Sequence, residues 1–249
     1  MQRISKTRAS LYSTLKTRKG RRREGLFIVQ GEKAVRDTLP FFVREAVIML
    51  SGAPVPDFVT EDCELLEATE SEMKKISTLN ELPRMIAVYR IPDSAGGVEN
   101  VDRDRFHLAL DGVSDPGNFG TIIRTAHWFG VDTIYCGEGC PDLFNPKVVQ
   151  STMGSLARVR VVYCDLPTLF DANRELPVYG LLLNGKDIFA EKKFSPGFIL
   201  MGNEGHGISE GVIPYVSHPL TIPPSDASNH PDSLNVAIAT AVTLAQMVM

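Results

Sequence analysis

The stretch LDGVSDPGNFGTIIRTAHWFGV, Leu110 to Val131, joins three kinds of local signal in one short span. It begins inside FHLALDGV (Phe106 to Val113), an apolar run that reads as a buried strand. SDPGN then supplies turn chemistry. A helix is expected from Asn118, as its N-cap, to Phe129, with Gly130 just past its end. Phe119, Ile122, Ile123, Ala126 and Phe129 form one apolar stripe at helical spacing, and Arg124 lies roughly opposite it. VDTIYC (Val131 to Cys136) reads as the next strand. A strand, helix, strand succession of this kind belongs to a parallel sheet.

Further along, PVYGLLL, GFILMG and HPLTI are three more strand candidates. The chain closes on SLNVAIATAVTLAQMVM (Ser233 to Met249), a helix apolar on nearly every face. Such a helix is buried or sits at an interface, and it is too short to span a membrane. Before the central stretch, GLFIVQG (Gly25 to Gly31), VREAVIML and RMIAVYRI (Arg84 to Ile91) read as strands. EKAVRDTL reads as a helix, and DFVTEDCELLEATESEMKKIS as helical pieces. PDSAGGVENVDRDR (Pro92 to Arg105) has little to bury and reads as a linker. The expected organisation is an α/β chain with a first domain over 1–95, a linker over 96–105 and a larger, mostly parallel α/β domain over 106–249.

Of 249 residues, 43% are hydrophobic and 22% charged, the composition of an ordinary globular chain. Neither a disordered tail nor a fibre has it. The net charge of −4 conceals an asymmetry. Nine basic residues (Arg3, Lys6, Arg8, Lys16, Arg18, Lys19, Arg21, Arg22, Arg23) and one acid, Glu24, fall within the first 25 positions. A basic arm on an acidic body points to a polyanion such as nucleic acid, or else to a solvated helix face. Cys63, Cys136, Cys140 and Cys164 include no CxxC pair. They read as reduced thiols of a cytoplasmic protein, and no metal is expected.

Three candidate strands run into loops with polar residues that folding alone does not require. In the first, Arg124 alone reads as a surface arginine and Asn118 as a cap. In the second, FILMGNEGHGIS (Phe198 to Ser209), Gly202, Gly205 and Gly207 let the backbone turn sharply and approach a ligand. Glu204 sits among them, to pair with a cation or to face water. In the third, LTIPPSDASNHPDSLNVAIATAV (Leu220 to Val242), Ser233 reads as the helix cap, a role Asp232 could share. Asn235, one turn inside an apolar helix, must find partners or cost about 1–3 kcal/mol.

Taken together and in this order, LDGVSDPGNFGTIIRTAHWFGV, LMGNEGHGIS and IP…SLNVAIATA resemble the three signature motifs of the SpoU/TrmH family of RNA ribose 2′-O-methyltransferases. The resemblance covers most of 106–249. More loosely, GLFIVQGEKAVRDTL and RMIAVYRIP resemble the small ribosomal-protein-like α/β domain with which many members bind substrate. The resemblance implies a trefoil-knotted (SPOUT) domain that binds S-adenosylmethionine and works as a homodimer. It places Asn118, Arg124, Glu204, Ser233 and Asn235 in the catalytic motifs. It places Leu200, Met201, Gly202, Asn203, Gly205, Ile222 and Leu234 around the cofactor. The stretch from Pro224 to Asp232 is longer than the family's and lacks its methionine and glycine.

The implied chemistry is physically coherent. A ribose 2′-hydroxyl is a poor nucleophile, so it must be aligned with the methyl donor and relieved of a proton. A guanidinium is nearly always a donor, and could act as a base only if its proton loss were coupled to RNA binding. Arg124 is therefore expected to bind phosphate or stabilise the developing alkoxide. The nine basic arm residues would hold RNA phosphates, with rRNA favoured over tRNA and DNA excluded by the need for a 2′-OH. The terminal helix would hide Val236, Ile238, Leu244, Met247 and Met249 in a dimer interface. Two rivals are a non-catalytic RNA-binding or ribosome-assembly protein on the same scaffold and a base methyltransferase of a related knotted family.

Overall fold

The computed structural model of the chain describes residues 1–60, 63–93, 98, 101–226 and 228–249. Part of the expected linker (94–97 and 99–100) lies outside the described residues. The chain divides into two compact units, one of Met1–Asp93 with Asp142–Ala157, the other of Ser94–Pro141 with Arg158–Met249.

The first unit is a five-stranded mixed sheet in the order β1-β4-β3-β5-β2. Its elements are β1 (Gln2–Arg3), α1 (Lys6–Thr14), α2 (Arg18–Glu24), β2 (Leu26–Gln30), α3 (Glu32–Thr38), β3 (Arg44–Leu50), β4 (Leu65–Ala68), α4 (Glu70–Ile76) and β5 (Met85–Arg90). Period-2 alternation decides which residue faces which side. Leu26 and Ile28 join Tyr12, Leu15, Met73 and Ile76 on one face, whereas Phe27 and Val29 join Val35 and Tyr89 on the other. Val149 and Leu156 pack into that second cluster. This is why the stretch containing the short helix Pro146–Thr152 packs as part of the first unit.

The segment read as helical pieces contains a strand. LLEA (Leu65–Ala68) pairs in parallel with β3, burying Leu66 and Ala68. Four residues are too few to display a period in sequence. The Thr69–Glu72 capping box then starts α4.

The second unit is a six-stranded sheet in the order β11-β9-β10-β6-β7-β8, with every pair parallel. Its elements are β6 (His107–Leu110), α5 (Pro116–Trp128), β7 (Thr133–Cys136), β8 (Arg160–Tyr163), α7 (Leu166–Ala172), β9 (Val178–Asp187), β10 (Phe198–Met201), β11 (His218–Thr221) and α8 (Val236–Val248); α6 is the Pro146–Thr152 helix of the first unit. All four residues of β6 and of β10 are buried, as expected for strands covered on both faces. The chain leaves β6 for β7 and β8 on one side, then returns to build β9, β10 and β11 on the other. The carboxyl ends of β6 and β10 therefore flank a topological switch point, where open parallel sheets bind ligands.

Helix α8 packs against α5. Val236, Leu244 and Met247 are already buried within this chain, which corrects their assignment to a dimer interface. Ile238 and Met249 do face outward, 54% and 91% exposed. No helix among the described residues is long and apolar enough to cross a membrane.

Candidate active site

The turn after β6 is set by Gly112, whose φ of +71° lies in the left-handed region, and by Asp115. Asp115, not Asn118, is the N-cap of α5: its carboxylate accepts from the Asn118 N–H at 2.9 Å. Pro116 occupies the first helical turn, where its missing N–H costs nothing. The shift of three residues matters chemically. A capping Asn118 would spend its Oδ1 on its own helix, whereas here both ends of the amide reach other elements. Its Nδ2 donates to Glu204 Oε1 at 2.9 Å. Its Oδ1 accepts from Asn235 Nδ2 at 3.0 Å. The other carboxylate oxygen of Glu204 accepts from the Ser114 N–H at 3.4 Å.

The turn after β10 is built around Asn203. Its backbone exchanges two hydrogen bonds of 2.9 Å with Gly207. Its Oδ1 accepts from the N–H of Gly205 (2.8 Å) and of His206 (3.1 Å), and its Nδ2 donates to the Gly112 carbonyl at 2.7 Å. Asp111 closes the same junction, accepting from the Ser209 N–H at 2.7 Å. A Cβ on Gly202 would lie 2.4 Å from the carbonyl carbon of Gly207, so only glycine permits this hairpin. Leu200 and Met201 are fully buried strand residues, and Leu200 belongs to the apolar core. The Met201 carbonyl accepts from the Asp111 N–H at 2.9 Å, tying the end of β10 to the turn after β6.

The third turn corrects a second cap. Asn235, not Ser233, caps α8, its Oδ1 accepting from Ala237 N–H (2.9 Å) and Ile238 N–H (3.3 Å). The polar side chain that had to find partners finds them at both ends, through Oδ1 on its own helix and Nδ2 on Asn118. Ser233 is exposed, and so is Leu234, at 48%; Ile222 is half-buried just past β11.

The structure thus joins Asn118, Glu204 and Asn235 in one hydrogen-bonded chain, with Asn203 bonded to the adjoining turn. Arg124 sits less than two helical turns beyond Asn118 on α5, exposed, with no hydrogen bond or ion pair to the described residues. Sequence reading missed Asp111, Asp115 and Ser114, because a carboxylate in a turn looks the same whether it caps a helix or ties two loops together.

In the first unit, the basic arm is structured. Arg3, Lys6, Arg18, Lys19, Arg22 and Arg23 are exposed, while Arg8 and Lys16 are half-buried. Arg21 departs from the expectation of phosphate binding. It is 2% exposed, donates to Asp142 at 2.6 and 3.1 Å, and donates to the Leu15 carbonyl at 2.9 Å. Arg8 is paired with Glu64 and lies over the Tyr12 ring.

Residues 105–245 match the model of the SpoU rRNA Methylase family, and residues 11–87 match that of the MRM3-like substrate binding domain. The chain belongs to the SpoU rRNA methylase family. It is 29% identical over 236 residues, covering 93% of this chain and 92% of the relative, to the 23S rRNA (guanosine(2553)-2′-O)-methyltransferase RlmP of Bacillus subtilis. A solved structure of a TrmH-family protein from Porphyromonas gingivalis is 35% identical, with a TM-score of 0.83, covering 98% of this chain and 97% of that one. The SpoU methyltransferase AviRb from Streptomyces viridochromogenes, solved with AdoMet, shares the fold at a TM-score of 0.85 and 23% identity, over 98% of this chain and 97% of that one.

Proposed function

We propose that the chain methylates the ribose 2′-hydroxyl of a nucleotide in ribosomal RNA, using S-adenosylmethionine, and that it does so as a homodimer. The observation that carries this reading is the Glu204–Asn118–Asn235 hydrogen-bond chain at the switch point of the parallel sheet.

The residues present fit the methyl donor. Asp111, Asp115 and Glu204 make the junction anionic, which favours a cationic sulfonium. Half-exposed Leu234 and half-buried Ile222 offer apolar surface beside it. The main chain of Gly202, Asn203 and Gly205, with Ile222 and Leu234, would hold the donor. When bound, S-adenosylmethionine supplies a methyl group on a positively charged sulfur, already electrophilic. Asn118 and Asn235 hold the carboxylate of Glu204 and the α8 cap in register, so that the loops are preorganised. Arg124 makes no hydrogen bond or ion pair with the described residues, so its planar donor fork is open to a ligand. It binds the target phosphate or stabilises the oxyanion as the hydroxyl proton leaves.

Ribosomal RNA as substrate is supported by the matched substrate-binding domain, by six exposed arm cations and by the activity that the name of the B. subtilis relative records. The dimer is supported by exposed Trp128 at the end of α5 and exposed Ile238 and Met249 on α8. The test is incubation with methyl-labelled donor and, separately, unmodified rRNA and tRNA, followed by digestion to nucleosides and mass analysis. A 2′-O-methylnucleoside from rRNA is expected. Label on a base, or none on either RNA, overturns the reading.

A further inference from the structure

The segment KDIFAEKK, Lys186 to Lys193, has no part in the chemistry of the three turns. It leaves the end of β9, where Lys186 and Asp187 stand opposite Leu220 and Thr221 of β11. Ile188 is fully buried, and its N–H donates to the Thr221 carbonyl at 2.9 Å. The Asp187 carboxylate accepts from the Phe189 N–H at 2.8 Å, and the Asp187 carbonyl accepts from the Ala190 N–H at 3.1 Å. Just beyond, the Glu191 carbonyl accepts from Gln246 Nε2 of α8 at 3.3 Å. The turn is thus fastened to β11 and to α8 at once, and its shape is set before any ligand arrives.

None of that fastening uses the side chain at 189. With Ile188 turned into the core, Phe189 is 52% exposed. Lys186, before the turn, and Lys192 and Lys193, after it, are exposed and make no hydrogen bond or ion pair with the described residues. Against them stand Asp187, with one carboxylate oxygen taken up by the turn, and Glu191. An aromatic face stacks a base and ammonium groups meet phosphates; together they are the elements of single-strand binding. Lysine is depleted from protein–protein interfaces, which disfavours a second copy of the chain as the occupant. Position gives the surface a role. Thr221, to which the turn is bonded, directly precedes Ile222 at the start of the third polar turn.

We infer that the Asp187–Ala190 turn is a stacking platform for an unpaired nucleotide next to the target, with Lys186, Lys192 and Lys193 holding the phosphates of the same strand. Phe189 takes the base and carries no sequence preference, because every base has a π-face. The platform acts on binding, away from the reacting atoms, so it sets how the RNA strand is held and leaves donor affinity alone. The inference rests on the proposed function for its RNA ligand, and its readout is binding, which is measured apart from methyl transfer.

The test uses the full chain. Affinity is measured for fluorescein-labelled oligouridylate by anisotropy and for unmodified rRNA by filter binding, with S-adenosylhomocysteine titrated into the same samples. Phe189→Ala is expected to bind both RNAs about tenfold more weakly, with donor affinity unchanged. Lys192→Ala combined with Lys193→Ala is expected to lower the salt slope for oligouridylate by about 1.4, two phosphates at about 0.7 each. Phe189→Trp is expected to keep the affinity and to lose fluorescence on oligouridylate, beyond any change in the native Trp128. It decides the matter even where Phe189→Ala fails to fold. RNA affinity indifferent to Phe189→Ala, or unquenched fluorescence in Phe189→Trp, overturns the proposal. So does a Phe189→Ala chain that binds RNA as the wild type does but sediments in a different oligomeric state. Should rRNA bind through Phe189 yet gain no 2′-O-methyl group, the platform stands and the methyltransferase reading alone falls.

Discussion

Asn235 donates to Asn118 across 3.0 Å while its own carbonyl oxygen caps α8. One side chain thus sets both the start of the terminal helix and the position of the amide that holds Glu204. Stability and site geometry are coupled through that residue, and the two contributions separate by substitution.

Asn235→Ala removes cap and bridge together. Losing an N-cap costs about 1 kcal/mol, so the melting temperature falls by a few degrees and donor affinity falls with it. Asn235→Asp keeps a capping oxygen but replaces the donor to Asn118 with an acceptor. Its melting temperature stays near wild type, while donor binding weakens as in the alanine variant. Thermal unfolding and calorimetry on the same samples measure both.

Gly202→Ala places a methyl 2.4 Å from the Gly207 carbonyl carbon and 2.5 Å from the Ile208 nitrogen. Backbone cannot yield as a flexible side chain would, so the second turn moves. Misplacement on the scale of an ångström costs about 10²-fold in turnover. The expected variant is folded by circular dichroism and slower by about that factor in a methyl-transfer assay.

Arg124 is exposed and makes no hydrogen bond or ion pair with the described residues. Arg124→Ala should therefore change stability by less than about 0.5 kcal/mol, yet reduce turnover by about 10²–10³-fold if its guanidinium meets developing charge. Arg124→Lys keeps the charge without the planar fork and should recover little of the loss. Near-wild-type turnover in the lysine variant would count against both roles assigned to Arg124.

Within the basic arm, position decides the outcome of a substitution. Arg18→Ala and Lys19→Ala remove exposed charges and should weaken RNA binding, each lowering the salt slope by up to about one, with stability unchanged. Arg21→Ala leaves RNA contacts in place. It strands Asp142 and the Leu15 carbonyl, and should destabilise the chain by about 3 kcal/mol. Filter binding across a salt series, alongside thermal unfolding, distinguishes the two classes.

Much of this was legible in sequence because apolar runs and turn residues agree: the strands at Leu26–Gln30, His107–Leu110 and Phe198–Met201 and the apolar stripe of α5 all stand where pattern puts them. The three polar turns were legible too, as a set. Hidden were choices that depend on tertiary competition. Asp115 and Asn118 are both good caps, and Ser233 and Asn235 likewise; the choice goes with contacts between turns far apart in the chain, as in the Asn235–Asn118 bond. LLEA carries too few residues to reveal its alternation, and the burial of Arg21 depends on Asp142, 121 positions away.

That the three turns make one donor site is tested most directly by binding. Calorimetric titration with S-adenosylhomocysteine should give one site per chain in the wild type, weakened at least about tenfold in both Asn235→Ala and Gly202→Ala. Absence of heat in the wild type, or an affinity indifferent to both substitutions, would contradict it.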